Sequence, residues 1–164
     1  MKKKPEILIR KATLKDVPRL VEMWEDLIKY HKNLPVKINI YKDMKKNAAD
    51  VWRKYAKKMI RGKDSSIYVA EINEKLVGYS VLMIKKDPPV YKNEKIGYFS
   101  DAFVDKHFRG MGISSLLKDV AILWFRKKGL KYASLVVDPK NKHAHNIYKK
   151  WGFSDLHIVM RRKV

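Results

Sequence analysis

The chain contains no cysteine and no glutamine. Without thiols there can be no disulfide, no thiolate nucleophile and no cysteine-ligated zinc, so neither fold nor chemistry rests on sulfur. An uninterrupted apolar run near the roughly 20 residues of a membrane-spanning helix is also missing. The opening Met1-Lys2-Lys3-Lys4-Pro5 lacks the apolar segment that follows the basic start of a signal peptide. These absences lead to the expectation of a soluble, cytoplasmic protein with no membrane partner. Acidic residues are scarce as well: 17 Asp and Glu stand against 38 Lys and Arg, a formal charge of +21. A field of that sign attracts nucleic acid, anionic lipid and phosphate-bearing cofactors alike. The basic residues are spread along the chain rather than gathered in a tail, a distribution that also suits heat adaptation.

What is present suffices for a packed core. With 46% hydrophobic and 34% charged residues over 164 positions, disorder is excluded and one domain spanning residues 1–164 is expected. Hydrophobic periodicity divides the chain into a strand at 6–10, a helix carrying Leu14, Val17, Leu20, Val21, Trp24, Leu27 and Ile28, and a second carrying Ala48, Val51, Trp52, Tyr55, Ala56, Met59 and Ile60. A polar stretch at 32–46 joins them. Strands follow at 67–72 and 76–84, a hairpin about Asn73-Glu74-Lys75, and at 96–104. Then come a glycine-rich turn, a helix carrying Ile113, Leu116, Leu117, Val120, Ala121 and Trp124, a strand at 132–137, a helix carrying Ala144, Ile147, Tyr148 and Trp151, and a last strand at 156–161. The alternation predicts an α/β domain with a mixed sheet and about four helices. The four tryptophans fall at helical core positions, which explains them better than a base-stacking role.

Chemistry concentrates at Phe108-Arg109-Gly110-Met111-Gly112-Ile113-Ser114-Ser115, where a strand gives way to a helix. Glycines let backbone N–H groups converge and a helix N-terminus adds about half a positive charge, which together make an anion cradle. A plain strand-to-helix turn would use the same residues. The turn lacks the Gly-Lys-Ser/Thr ending of a nucleoside triphosphate loop and the third glycine of a dinucleotide fingerprint. About thirty residues on stands Asn141-x-x-Ala144-x-x-x-Tyr148-x-x-Trp151-Gly152-Phe153. His143 and His145, two residues apart, face different sides of a helix and make a poor metal pair, so no metal is expected.

The two segments in this order resemble the GNAT superfamily of acyl-CoA-dependent N-acetyltransferases. Arg109-Gly110-Met111-Gly112-Ile113-Ser114 is similar to that family's Arg/Gln-x-x-Gly-x-Gly/Ala pyrophosphate loop, with Val104 closing the strand before it; Ser114 departs from the glycine or alanine of the pattern. The stretch from Ile9-Arg10-Lys11-Ala12-Thr13 to Asp16 is similar to the family's first strand and helix start, so the likeness spans nearly the whole chain. The resemblance implies a GNAT-like sheet of six to seven strands that splays between its fourth and fifth strands, here 96–104 and 132–137. It implies acetyl-CoA as co-substrate, held by the loop amides and by the open strand edge, with the acetyl carbonyl polarised by a backbone N–H near Phe103 or Val104. Asn141 would face the pantetheine amides or cap its helix. An amine attacks only when neutral, so a base is needed. Asp101, beside that edge, is the first candidate, with Glu22, Glu25 and Asp26 on the first helix behind it. Tyr148 matches the family's general acid, an ordinary core tyrosine being the alternative. The acceptor, a primary amine, would meet the acids of the first helix and Tyr30, with His31 and Tyr41 near by. Relatives often dimerise through the last strand or the sheet edge, so a homodimer is possible. Two alternatives stay open: a non-catalytic nucleic-acid-binding protein, less favoured, and a module that binds acyl-CoA as a signal.

Overall fold

In the computed structural model, residues 5–162 and 164 are described. The order is β1 (Leu8–Lys11), α1 (Val17–Lys32), α2 (Ala48–Arg61), β2 (Ser65–Ile72), β3 (Lys75–Lys86), β4 (Lys95–Val104), α3 (Ile113–Lys127), β5 (Ala133–Leu135) and α4 (Lys142–Lys150). The strands form one sheet in the order β1-β2-β3-β4-β5, antiparallel from β1 to β4 and parallel between β4 and β5. The β2–β3 hairpin closes on Asn73 and Glu74, both at positive φ (47° and 62°), the handedness that the twist of a two-residue hairpin demands.

Helices cover both faces. Trp52, Ala56 and Met59 lie along one stripe of α2 and bury against Leu20, Met23 and Trp24 of α1 and against Val69, Tyr79 and Val81 of the sheet. Trp24 and Trp52 stack with ring centroids 5.4 Å apart. On the other face α3 sets Ile113 and Leu117 against Ala70 and Val77, and Ala121, Trp124 and Phe125 against Leu82 and Phe99. No helix among the described residues is long and apolar enough to cross a membrane.

Two irregularities in β4 set up the site. Val81 of β3 pairs with Asp101, but the next residue, Leu82, pairs with Phe99, so Ser100 is an extra residue: a β-bulge. Side chains alternate across a strand, and one inserted residue reverses the alternation beyond it. Phe99 therefore packs under α3, whereas Phe103 joins the α1–α2 core and Asp101 meets Trp52 on that same side. The second irregularity is that β4 and β5 pair only from Gly97–Ala133 to Phe99–Leu135. Among the described residues β4 has no strand beside it on the β5 side from Ser100 onward, which is the expected splay.

The strand count differs from expectation. Among the described residues the sheet has five strands, not six or seven, because residues 156–161 are not extended against any partner. A strand exists through its neighbour, and β5 offers an edge of only three residues. Leu156, Ile158, Val159 and Met160 consequently lie 75% to 90% exposed. The strand expected at 132–137 shrinks to Ala133–Leu135 for the same reason: Val136 and Val137 have already turned away from β4.

Candidate active site

The bend between β4 and α3 is built for its backbone. Gly110 and Gly112 sit at φ of +80° and +82°, where a side chain strains the chain even though a Cβ at either would meet nothing within 4 Å. Gly112 supplies no capping side chain, the first turn of α3 carries no acid, and the first N–H taken by the chain is that of Leu116, on the Gly112 carbonyl at 3.1 Å. The N–H groups of Ile113, Ser114 and Ser115 thus find no acceptor among the described residues, and they sit at the positive end of a helix of 15 residues. Ile113 anchors the turn in the core at 1% exposure, while Met111 and Arg109 face outward and Ser114 is half-buried. Arg109 Nε donates to the Val104 carbonyl at 3.0 Å, tying the loop back to the end of β4.

Beyond the bulge a cluster of aromatic side chains surrounds one carboxyl group, and this cluster is called the chamber below. Trp52 Nε1 donates to Asp101 Oδ2 at 3.5 Å, a long contact. Burial holds the Asp101 carboxyl above the usual carboxylate range, an effect the indole N–H partly offsets. Burial also raises the phenols of Tyr41, Tyr79, Tyr98 and Tyr148, and the charge of Asp101 raises each further. Tyr55 is raised by burial and by Asp101 too, against a contact of 3.4 Å between its hydroxyl and Ser100 Oγ. Two buried polar atoms in this layer, Tyr79 Oη and His31 Nδ1, have no partner among the described residues. Burial lowers the His31 imidazole, which packs 4.5 Å from the Tyr41 ring.

Helix α4 closes the other side. Tyr148 packs against Trp151 and Phe153, at 5.5 Å and 6.3 Å between centroids, and Phe153 meets Phe99 at 5.9 Å. Asn141 Oδ1 accepts from Ala144 N at 3.3 Å, capping α4, and from Tyr30 Oη at 3.1 Å, which links α1 to α4. Its Nδ2 has no acceptor among the described residues. The capping role is thus real and leaves the amide N–H₂ available.

Of the residues named from sequence, the fold brings Asp101, Phe103, Val104, the 109–114 loop, Asn141, Tyr148 and Tyr30 around the parted strands. Glu22, Glu25 and Asp26 make no hydrogen bond or ion pair with any of these among the described residues. They are exposed, with Glu22 2.8 Å from Arg19 and Asp26 3.0 Å from Lys29. Trp52 and Tyr55, which the sequence places on the apolar stripe of the second helix, and Tyr79 and Tyr98, to which it gives no role, all interact with Asp101 or with its neighbours. One signal was present: strict alternation would set Asp101 with both Phe99 and Phe103 on one face, and the bulge turns Phe99 to the other face while Asp101 stays with Phe103.

A strand-to-helix loop at a splayed β4 edge, followed by an asparagine-capped helix with an inward tyrosine, agrees with comparison to known proteins. Residues 23–153 match the model of the acetyltransferase (GNAT) family. The chain belongs to the GNAT acetyltransferase family. An uncharacterised N-acetyltransferase of Methanocaldococcus jannaschii is 32% identical over 107 residues, 65% of this chain and 47% of that protein, so the match spans about half of the relative. Among solved structures, the tetramutant of a Bacillus halodurans protein superposes with a TM-score of 0.82 at 22% identity, covering 96% of this chain and 99% of that one. An aminoglycoside N-acetyltransferase in complex with CoA superposes at 0.77 with 14% identity, over 99% and 98% of the two chains. A predicted acetyltransferase of Clostridium acetobutylicum with acetyl-CoA gives 0.73 at 21% identity, over 96% of each. At these identities the structures establish the GNAT fold. Among the described residues no three His, Asp or Glu side chains gather as a metal ligand set.

Proposed function

We propose that the protein is an N-acetyltransferase that moves the acetyl group of acetyl-CoA to a primary amine by direct attack in a ternary complex, with residues 1–164 as one catalytic domain. The observation that carries this is the β4 edge from Ser100 to Val104: unpaired by β5, it runs from the Asp101 chamber to the open N-terminus of α3. The residues present fit the co-substrate. Unsatisfied N–H groups at 113–115 and the backbone of Arg109, Gly110, Met111 and Gly112 suit a pyrophosphate. The bare strand edge and Asn141 Nδ2 suit the amides of an extended pantetheine arm. Acetyl-CoA supplies an activated thioester carbonyl and a thiolate leaving group.

The chain's own groups do the rest. A backbone N–H of Phe103 or Val104 donates to the carbonyl oxygen and stabilises the charge that grows there. Asp101, its basicity raised by burial, takes the proton that an ammonium must lose before its nitrogen can form the new C–N bond. Tyr148 donates its phenolic proton to the sulfur as the C–S bond breaks, and the second proton that the nitrogen sheds on becoming an amide returns to the phenolate. Serine at 114 keeps the loop small and adds a hydroxyl within the anion cradle.

The acceptor contacts we propose shift from Glu22, Glu25 and Asp26 to the chamber, with Tyr30 kept at its rim. One carboxylate among tyrosine and tryptophan faces suits a singly charged amine with an apolar body, through ion pairing and cation–π contact. A polycation would meet one counter-charge there and a molecule of net charge +21 outside. The bare edge of β5 and the exposed apolar run at 156–160 support a homodimer. The test is calorimetric titration with acetyl-CoA, then an amine panel read by thiol release, for which a cysteine-free enzyme gives no background. Saturable one-to-one binding and turnover that favours monoamines is expected. Failure to bind acetyl-CoA refutes the acetyltransferase, and a preference for polyamines refutes the acceptor.

A further inference from the structure

Part of the charge that the cleft does not use collects at one end of the molecule. The sheet has two poles. At the cleft pole lie the C-terminus of β4, the β2–β3 turn and the starts of β1, α1 and α3; residues 6–10, 13–22, 71–75 and 104–112 there hold six Lys and Arg and six Asp and Glu. Many are paired: Arg10 with Asp16 and Glu71, Arg19 with Glu22 and Asp105. At the opposite pole the chain leaves α2 for β2, β3 for β4, and α3 for β5. Those connections, residues 61–64, 85–95 and 126–131, hold ten Lys and Arg against three Asp and Glu. Among the described residues none of the ten is in an ion pair. The fold clusters them directly, since Lys128 Nζ donates to the Lys63 carbonyl at 2.6 Å and Gly97 N donates to the Tyr132 carbonyl at 3.0 Å. The patch continues up α2, where Lys54, Lys57, Lys58 and Arg61 recur at helical spacing around a shallow hollow of about 500 Å³.

Amid these cations two aromatic rings stand in solvent. Tyr91, in the β3–β4 connection beside Lys92, is 60% exposed, and Tyr132, beside Lys131, is 62% exposed. Unpaired cations at this density repel one another, and a polyanion that threads between them relieves that repulsion while releasing its own counterions. Exposed rings flanked by cations add a face on which an unpaired base can stack. A duplex buries its base faces and would leave both rings idle.

We infer that the pole opposite the acetyl-transfer cleft binds single-stranded nucleic acid, through phosphate contacts from the 61–64, 85–95 and 126–131 connections and the α2 stripe and through stacking on Tyr91 and Tyr132. The surface is separate from the cleft and does not depend on its chemistry. The same chain could then work on an amine while held on a nucleic acid.

The test is fluorescence anisotropy with labelled oligo-dT and oligo-U of about 20 nucleotides, from about 50 to about 200 mM NaCl, with a duplex of the same length and phosphatidylserine vesicles as competitors. The expected result is saturable binding to a single strand that falls linearly on a log–log salt plot; tighter binding of oligo-U than of oligo-dT assigns RNA. The quadruple variant Lys58→Ala, Lys63→Ala, Lys86→Ala, Lys127→Ala should flatten the slope by about 0.7 for each phosphate it no longer neutralises. Tyr91→Ala with Tyr132→Ala should weaken binding at least about fivefold and leave the slope alone. Lys15→Ala with Lys75→Ala, at the cleft pole, should change nothing, and circular dichroism checks that each variant is folded. The inference is overturned if the cleft-pole pair weakens binding as much as the quadruple variant, if the tyrosine pair has no effect, or if the duplex or the vesicles displace the single strand at lower concentration.

Discussion

Replacing Asp101 with Asn should make the protein more stable and nearly inactive. Asn matches the carboxyl in shape and still accepts from Trp52 Nε1, the one hydrogen-bond donor to Asp101 among the described side chains, at 3.5 Å. What disappears is the charge. Burial holds the folded-state pKa of Asp101 above its value in the unfolded chain. Between the two values the folded protein therefore binds the extra proton, and stability falls as pH rises through that window and stays lowered above it. Each unit of separation is worth about 1.4 kcal/mol, and in a chain of this size about 2–4 °C of melting temperature accompanies each kcal/mol. Melting curves of wild type and Asp101→Asn should thus coincide below about pH 4 and separate toward neutral pH, the variant being the more stable. Over the same range kcat/KM of the wild type should rise as Asp101 ionises, and the variant should run about 10² to 10⁴ slower. Lower melting at neutral pH with turnover intact would mean that Asp101 is a structural carboxylate, and the proton-transfer role would fall.

Other consequences can be read in the same way. Tyr148→Phe should lower kcat about a hundredfold with unchanged acetyl-CoA affinity by calorimetry; equal turnover removes the phenol from the mechanism. A Cβ on Gly97 would lie 2.6–2.8 Å from three atoms of the Phe125 ring, so Gly97→Ala should cost about 1–3 kcal/mol by overpacking in chemical denaturation, and adding Phe125→Leu should recover part of it. Asp16 accepts from Arg10 Nη1 and Nη2 at 2.9 Å and 3.0 Å and from Thr13 N at 2.6 Å. The Arg10 hydrogen bond comes first among the contacts holding its carboxyl below the usual range. That stabilisation is present above about pH 4 and is lost as pH falls through the depressed value. Asp16→Asn should accordingly cost about 1.5–3 kcal/mol at neutral pH, with the difference closing in acid.

Much of this was legible in the sequence because it is local. Helical spacing gave the buried stripe of α2, Asn73-Glu74 the hairpin, and Arg109 to Ser114 with Asn141 and Tyr148 the family. What was not legible depends on partners distant in the chain. Ser100 becomes a bulge only because β3 and β4 pair in a register that skips it. Residues 156–161 are as β-prone as a strand, yet pairing decides the matter and β5 presents three residues. Glu22, Glu25 and Asp26 looked like a cation-binding set, but they share the solvent face of α1 with Arg19 and Lys29. The chamber around Asp101 escaped notice because its tyrosines come from α2, β3, β4, α4 and the 32–46 connection, and no window of sequence holds them together.

The short seam between β4 and β5 also bears on which part of the molecule opens first. β2, β3 and β4 are laced over 8 to 12 residues each, whereas β5 is joined to the sheet by three residue pairs and α4 has no residue in the fully buried class. Segments with few buried contacts unfold locally at a fraction of the global cost. Amide protons of 133–151 should exchange with deuterium long before those of the central meander. A ligand lying between the parted strands would bridge the weak segment to the strong one, and its arrival should be recorded as slowed exchange in β5 and α4 with the meander unchanged. In this molecule the cleft is the seam between two levels of local stability, and occupancy is what closes the gap.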